Sequence, residues 1–163
     1  MQFSILTIFP EMFTGFLEHG IIRRAIKRNL VATSILNIRN HAVGRHRNTD
    51  DRPYGGGNGM VMKPEPLAGA IRQAVNRFAD TLTIHLTPQG RVFDQDTARE
   101  LTRTDHIVLI CGRYEGIDER ICETLVDREL SIGDSVLSGG EVAAMFVIDA
   151  VTRLLPDALG GDH

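Results

Sequence analysis

Three glycine-bearing stretches hold the residue types from which a nucleoside pocket can be built: TPQGR at 87–91, GRYEGID at 112–118 and GDSVLSGG at 133–140. Glycine lets backbone N–H and C=O groups approach a ligand closely and reach positive φ, so three such stretches together could wrap a flat heterocycle with main-chain hydrogen bonds. Alternatively, Gly112, Gly133 and Gly140 only end strands and permit turns, a role that any one stretch alone would fill. Two side chains could carry chemistry: a carboxylate, Glu115, between Tyr114 and Gly116, and a cation, Arg153, near the end of a predicted helix. Residue type alone also allows plainer readings, a solvated loop carboxylate and an arginine complementing a helix dipole.

Other nucleotide and metal signatures are missing. No G-x-G-x-x-G follows the first predicted strand and no G-x-x-x-x-G-K-[ST] occurs anywhere, which argues against a dinucleotide fold and a P-loop. The run Gly55-Gly56-Gly57-Asn58-Gly59 comes nearest, but it follows Asp50-Asp51-Arg52-Pro53-Tyr54 and lacks a downstream lysine. It reads as backbone that must flex or lie against a substrate. Cys111 and Cys122 stand apart with no second pair, and the six histidines match no ligand spacing, so neither a zinc knuckle nor a disulfide framework is indicated and no metal ligand is assigned.

The elements that must position these residues alternate. Strands are predicted at 2–8, 31–38, 81–87, 106–112 and 129–132, and helices at 20–29, 65–78, 95–102, 118–125 and 141–155. Such alternation predicts an α/β fold, a mostly parallel sheet with helices on both faces. The three glycine stretches then follow successive strands, and ligands in open α/β sheets settle outside the carboxyl ends of strands. Residues 40–63 show little periodicity, and so long a structureless connection is usually functional or mobile.

With 42% hydrophobic and 24% charged residues over 163 positions, one globular domain is expected. No apolar run is long enough to span a bilayer and the first residues lack a signal-peptide pattern, so a soluble cytoplasmic protein with no membrane partner is expected. A net charge of −3 argues against indiscriminate coating of nucleic acid. The distribution is uneven: eight basic residues and two acids lie between Arg23 and Arg52, against twelve acids and five arginines between Asp94 and Glu141. The basic region is either a solvated helix face followed by a basic loop or a surface for RNA.

Five stretches in register carry a specific resemblance: IFPEMF at 8–13, DDRPYGGGNGMVMKPEPL at 50–67, LTPQGR at 86–91, LICGRYEGIDER at 109–120 and SIGDSVLSGGEVAAMFVIDAVTRLLP at 131–156. Spread over almost the whole chain, they resemble the bacterial tRNA (guanine-N1)-methyltransferases of the SPOUT class. The resemblance implies a deep C-terminal trefoil knot, which periodicity could not have revealed and which is rare among folds. It also implies S-adenosylmethionine as methyl donor, tRNA as substrate, and a homodimer whose active sites are shared between protomers. The donor contacts it carries over are Leu86, Pro88, Gly112, Tyr114, Glu115, Gly116, Ser131, Ile132, Gly133, Val136, Leu137, Gly139 and Gly140. Two positions depart from the family pattern: Ser135 where tyrosine is usual and Asn58 where alanine is usual.

The implied reaction methylates N1 of the guanosine 3′ to the anticodon. A neutral lactam nitrogen is a poor nucleophile, so a base must remove its proton while a cation stabilises the charge developing on O6. Arg153 matches the family's arginine for the second task. Glu115 would organise the methionine end of the donor or help site a magnesium ion, for which no ligands are assigned. Arg23, Arg24 and Arg52, with Gly55, Gly56, Gly57 and Gly59, are the expected RNA-facing residues. Family members continue into a linker, which holds the aspartate taken as general base, and a helical tRNA-binding domain. Residues 1–163 are therefore expected to form the donor-binding catalytic domain without that tRNA-binding domain, holding the donor yet methylating poorly. Asp157 and Asp162 do not stand in for the base. Two rivals remain: an RNA-binding module without activity, which leaves the three glycine stretches unexplained, and a SPOUT enzyme acting on ribosomal RNA or a ribose hydroxyl.

Overall fold

Alternation of side chains along extended backbone sends neighbouring residues to opposite faces of a sheet, and this chain fills both faces with aliphatic groups. A computed structural model describes residues 1–52, 59–113 and 116–160. In chain order these form β1 (Gln2–Thr7), a 3₁₀ turn (Pro10–Phe13), α1 (Thr14–Leu17), α2 (Gly20–Lys27), β2 (Ala32–Asn37) and a second 3₁₀ turn (Ile38–His41). They continue with β3 (Asp50–Asp51), β4 (Val61–Met62), α3 (Pro64–Val75), β5 (Thr81–Val92), α4 (Gln95–Leu101), β6 (His106–Cys111), α5 (Glu119–Leu125), β7 (Arg128–Ser131) and α6 (Glu141–Thr152).

Five strands form one sheet in the order β2-β1-β6-β5-β7 with every pairing parallel. Phe3 and Ile5 of β1 and Ile107, Leu109 and Cys111 of β6 point to one face, where Ile22 of α2, Leu101 of α4 and Val147 and Val151 of α6 cover them. Leu6, Val108 and Ile110 point to the other, against Leu67 and Ile71 of α3 and Ile121 of α5. The central strand β6 is buried along its whole length. The fold class expected from the sequence is therefore observed, with helices on both faces.

Several differences from the predicted elements have local causes. The helix expected to run to residue 155 ends at Thr152, making Arg153 its capping residue. The helix expected over 20–29 ends at Lys27, and Asn29 adopts the left-handed φ of 60° that terminates helices. The stretch 40–63 is not structureless throughout: β3 and β4 pair antiparallel, Asp50 with Met62 and Asp51 with Val61. Two residues per strand are too few for an alternation signal to register. The strand expected to stop at 87 resumes, because Leu86 and Arg91 both pair with Leu130 and residues 87–90 loop out between them.

His106, at the start of β6, is fully buried. One ring nitrogen lies 2.7 Å from Ser4 Oγ and the other 2.8 Å from Thr81 Oγ1, partners that suit a neutral imidazole with one donor and one acceptor nitrogen. Burial lowers its pKa below the ordinary 6.5. The unfolded chain then takes up a proton near pH 6.5 that the folded chain refuses, so His106 makes stability decline as pH falls from 6.5 to the lower native value. We expect urea unfolding to show this slope in the wild type and a shallower one in H106Q; equal slopes would remove His106 as a cause.

Candidate active site

The carboxyl ends of β5, β6 and β7 open into a cavity of about 520 Å³, within the usual range for small-molecule sites. Its walls are the looped-out residues after Leu86, the turn after Cys111, and the segment from Ser131 to the first turn of α6. All three glycine-bearing stretches thus meet at one place, as expected of pocket walls rather than of separate turns.

Main-chain lacing holds two of these walls together. Gly140 N–H donates to the Gly112 carbonyl at 2.9 Å, and Arg113 and Gly139 form an antiparallel bridge. The approach requires glycine: a Cβ on Gly140 would lie 2.8 Å from Cys111 Cα, and one on Gly139 would overlap the Arg113 side chain. Gly90 serves the third wall, since a Cβ there would come within 2.5 Å of the backbone between Glu129 and Leu130. Ser131 closes the turn after β7, its hydroxyl donating to the Gly133 carbonyl and accepting from the Gly133 N–H.

An ion pair ties the same junction beneath the backbone. Arg113 Nε donates to Glu141 Oε1, and Thr7 Oγ1 donates to Glu141 Oε2 at 3.3 Å. Glu141 is 1% exposed in the first turn of α6, where the helix dipole favours a carboxylate. Burial raises its pKa and the adjoining guanidinium opposes that rise. The guanidinium also stacks 4.6 Å over the Phe9 ring, joining the turn after β1 to the same knot of contacts.

Of the predicted donor residues, Leu86, Pro88, Gly112, Gly116, Ser131, Ile132, Val136, Leu137, Gly139 and Gly140 all line the cavity. Gly133 sits in the turn beside it without lining it. Tyr114 and Glu115 lie outside the described residues, as do Gly55, Gly56 and Gly57. Arg153 is exposed at the far end of α6, roughly 18 Å along the helix axis from the cavity end, and does not join the cavity of its own chain.

The expected RNA-facing residues fall into two groups. Arg23 and Arg24 are exposed on α2, which packs on one sheet face. Arg52 lines a second cavity of about 710 Å³ between α3, α5 and the β3–β4 hairpin, on the other face. Ile117 and Glu119 line both cavities and so mark their boundary. Met62 N–H donates to the Gly116 carbonyl at 3.0 Å, which pins β4 to the cavity-lining turn after β6. Gly59, at φ 93°, is exposed just before that strand.

Sequence reasoning missed the polar side of the cavity: His85, Arg113, Glu119, Cys122 and Glu129. His85 is 5% exposed with Nδ1 3.0 Å from Glu129 Oε2, and burial outweighs that contact and lowers its pKa. Burial and the nearby carboxylates push the Cys122 thiol up to about 11. A signal existed for His85, a polar residue amid the apolar strand run TLTIHL, but none marked Cys122 as its neighbour.

Residues 1–163 match the family described as tRNA (Guanine-1)-methyltransferase TrmD. The chain belongs to that family. It is 59% identical over 162 residues to a tRNA (guanine-N(1)-)-methyltransferase of Desulfatibacillum aliphaticivorans, covering 99% of this chain and 62% of that protein. A Geobacter sulfurreducens protein of the same name is 55% identical over 160 residues, with 98% of this chain and 65% of that protein covered. The chain thus spans a little under two thirds of the length of these curated relatives. The crystal structure of tRNA (m1G37) methyltransferase from Aquifex aeolicus aligns with a TM-score of 0.90 at 41% identity, covering 99% of this chain and 73% of that one. The fold is accordingly the SPOUT α/β knot that the resemblance implied. In this family member the Ser135 departure falls on the cavity wall, where it offers less surface than the usual tyrosine ring.

Replacing Arg113 tests the lacing. R113A leaves Glu141 buried without its cation, and breaking such a pair costs about 3 kcal/mol. Urea denaturation should read that loss in R113A, whereas a change under roughly 1 kcal/mol would mark the pair as no stronger than a surface contact.

Proposed function

We propose that this chain binds S-adenosylmethionine in the 520 Å³ cavity and contributes the donor half of a methyltransferase that modifies N1 of the guanosine 3′ to the anticodon in tRNA. The observation that carries the reading is the meeting of three glycine-bearing walls, two of them laced by main chain, at the carboxyl ends of adjacent parallel strands. The cavity fits a folded nucleoside: Leu86, Pro88, Ile132 and Leu137 offer apolar surface for a flat ring, while the glycine backbones offer donors and acceptors around its edge. When bound, the donor supplies a methyl group on an electrophilic sulfonium.

The chain's own residues orient the donor and stabilise developing charge. The laced walls hold the cavity open without reorganisation, and such fixed orientation supplies much of the acceleration in transfer reactions. Arg153 is the cation for charge developing on guanine O6. Because it stands at the far end of α6 from its own cavity, it serves the cavity of a second copy.

Support for that second copy comes from α6 itself. Its sequence EVAAMFVIDAVT is apolar on nearly every side, a pattern of helices buried all round, yet Val142 and Phe146 are about half exposed in the single chain. Val136 beside the cavity is 88% exposed. A partner chain covers this face in the proposed homodimer.

Arg23 and Arg24 on one side of the sheet and Arg52 and Gly59 on the other are proposed contacts to tRNA, together with Gly55, Gly56 and Gly57, which lie outside the described residues. Glu115 is the proposed partner for the methionine end of the donor. Magnesium, which the resemblance implied, requires hard oxygen ligands, whereas the described side chains that converge offer an imidazole and a thiol beside one carboxylate. That cluster therefore does not fit magnesium, Glu115 lies outside the described residues, and no step is routed through the ion. Among the described residues no helix is long and apolar enough to cross a membrane, in keeping with a proposed cytoplasmic site of action on tRNA.

The 163-residue polypeptide should bind one S-adenosylmethionine per protomer by calorimetry and transfer methyl to tRNA poorly, with activity recovered when it is extended to the length of its relatives. Absence of binding heat would sink the donor reading, and full turnover by 163 residues would show that the base lies within them. In the extended protein R153A should keep donor affinity while methyl transfer falls roughly hundredfold, the usual cost of one charge-stabilising donor. F146D should convert the dimer to monomer in light scattering, and an unchanged mass would exclude α6 as the interface.

A further inference from the structure

Sequence spacing gives no hint of a metal site, yet the fold gathers three ligand types from three separate elements. His85 and Glu129 are direct register partners on β5 and β7, and Cys122 of α5 lies over them on the same sheet face. The ligand-competent atoms of the three side chains all lie within 4.8 Å of one another, and His85 Nδ1 is 3.0 Å from Glu129 Oε2.

We propose that His85, Cys122 and Glu129 form a binding site for one thiophilic divalent cation of the zinc class, set in the wall of the cavity with its fourth coordination position facing that cavity. The donor set decides the class. Imidazole nitrogen, thiolate sulfur and carboxylate oxygen are the usual ligands of zinc, and a set containing thiolate discriminates against magnesium and calcium. Ligand bonds of about 2.0–2.3 Å in a tetrahedral site separate ligand atoms by roughly 3.3–3.7 Å. The His85–Glu129 pair is already near that spacing, and the remaining closure needs at most about 1 Å, within reach of Cys122 and the half-exposed Glu129 by side-chain rotation.

Charge and access agree with the assignment. A divalent ion with one thiolate and one carboxylate makes a site of zero net charge, which a half-buried position tolerates better than any single charged partner. Three protein ligands fill three positions, and because all three residues line the cavity the fourth opens into it. Cys122 and Glu129 are reachable from solvent, which provides an entry path, whereas Cys111 is wholly buried and outside the group. On binding, Cys122 releases its thiol proton to solvent as the sulfur–metal bond forms, the proton that His85 Nδ1 donates to Glu129 is replaced by one at Nε2 as the imidazole changes tautomer, and no redox change is involved. The site does not require that the cavity hold S-adenosylmethionine, so the two readings fail separately.

The test uses tag-free, chelator-treated protein titrated with Co²⁺ as a spectroscopic substitute for Zn²⁺. One equivalent should produce a thiolate-to-cobalt charge-transfer band and the visible bands of a four-coordinate ion; Zn²⁺ should abolish them stoichiometrically and excess Mg²⁺ should not. C122S should lose the charge-transfer band, H85N and E129Q should bind Co²⁺ at least tenfold more weakly, and C111S should behave as wild type. Should a variant fold poorly, alkylation of Cys122 in the wild type decides: Zn²⁺ slows it at least tenfold if the site exists. No band at millimolar Co²⁺, a band that survives in C122S, or alkylation indifferent to Zn²⁺ would each overturn the proposal.

Discussion

The contact on which the cavity depends is the buried pairing of Arg113 with Glu141, set beneath the Gly112–Gly140 main-chain hydrogen bond. It joins the end of the central strand β6 to the start of α6, two places separated in the chain by α5 and β7. Removing a carboxylate from water is costly, and here a guanidinium, a threonine hydroxyl and a helix N-terminus offset that cost together. Because the buried Glu141 carboxylate loses its cation if Arg113 moves away, the junction is held in one arrangement. The glycines follow from the same constraint: a Cβ at 140 would collide with the Cys111 backbone, and one at 139 with the Arg113 side chain that makes the pair.

Around this junction the sheet acts as a rigid partition. Its two faces are filled by separate apolar clusters, one under α2, α4 and α6 and one under α3 and α5. The cavity forms where the partition ends, so its walls inherit the register of β5, β6 and β7, with α5 and the first turn of α6 completing them. The same partition divides the basic residues of the first third of the chain, leaving α2 and Arg52 on opposite faces. An RNA bound by both must wrap the edge of the domain rather than lie along one continuous stripe.

The cavity is chemically two-sided. Leu86, Pro88, Ile132 and Leu137 make an apolar wall suited to a heterocycle, and His85, Cys122, Glu119 and Glu129 make a polar one. The polar wall arises because His85 points away from its strand neighbours Ile84 and Leu86 toward the face carrying α5. A hydrophobic residue would suit that position by packing alone. The imidazole is instead held neutral by burial and hydrogen-bonded to a carboxylate, which preserves a lone pair for a ligand.

Local chemistry made much of this protein legible from its residues. Short, largely apolar runs marked each strand of the sheet, the helix-length segments alternating with them marked α2 to α6, and the glycine stretches after three strands marked the cavity, since close backbone approach demands glycine wherever it occurs. The motifs at 8–13, 50–67, 86–91, 109–120 and 131–156 together carried the family resemblance and, through it, the knot. Other features belonged to the tertiary structure alone. Strands of two residues carry no periodic signal, so the β3–β4 hairpin was invisible; the resumption of β5 after residues 87–90 depends on its pairing with β7. Arg113 with Glu141, and His85 with Cys122 and Glu129, are contacts between residues far apart in the chain, and no spacing rule encodes which distant side chains a parallel sheet brings together. Arg153 shows the remaining limit: its type and its helix could be read from the sequence, but only the folded length of α6 revealed that it stands away from its own cavity.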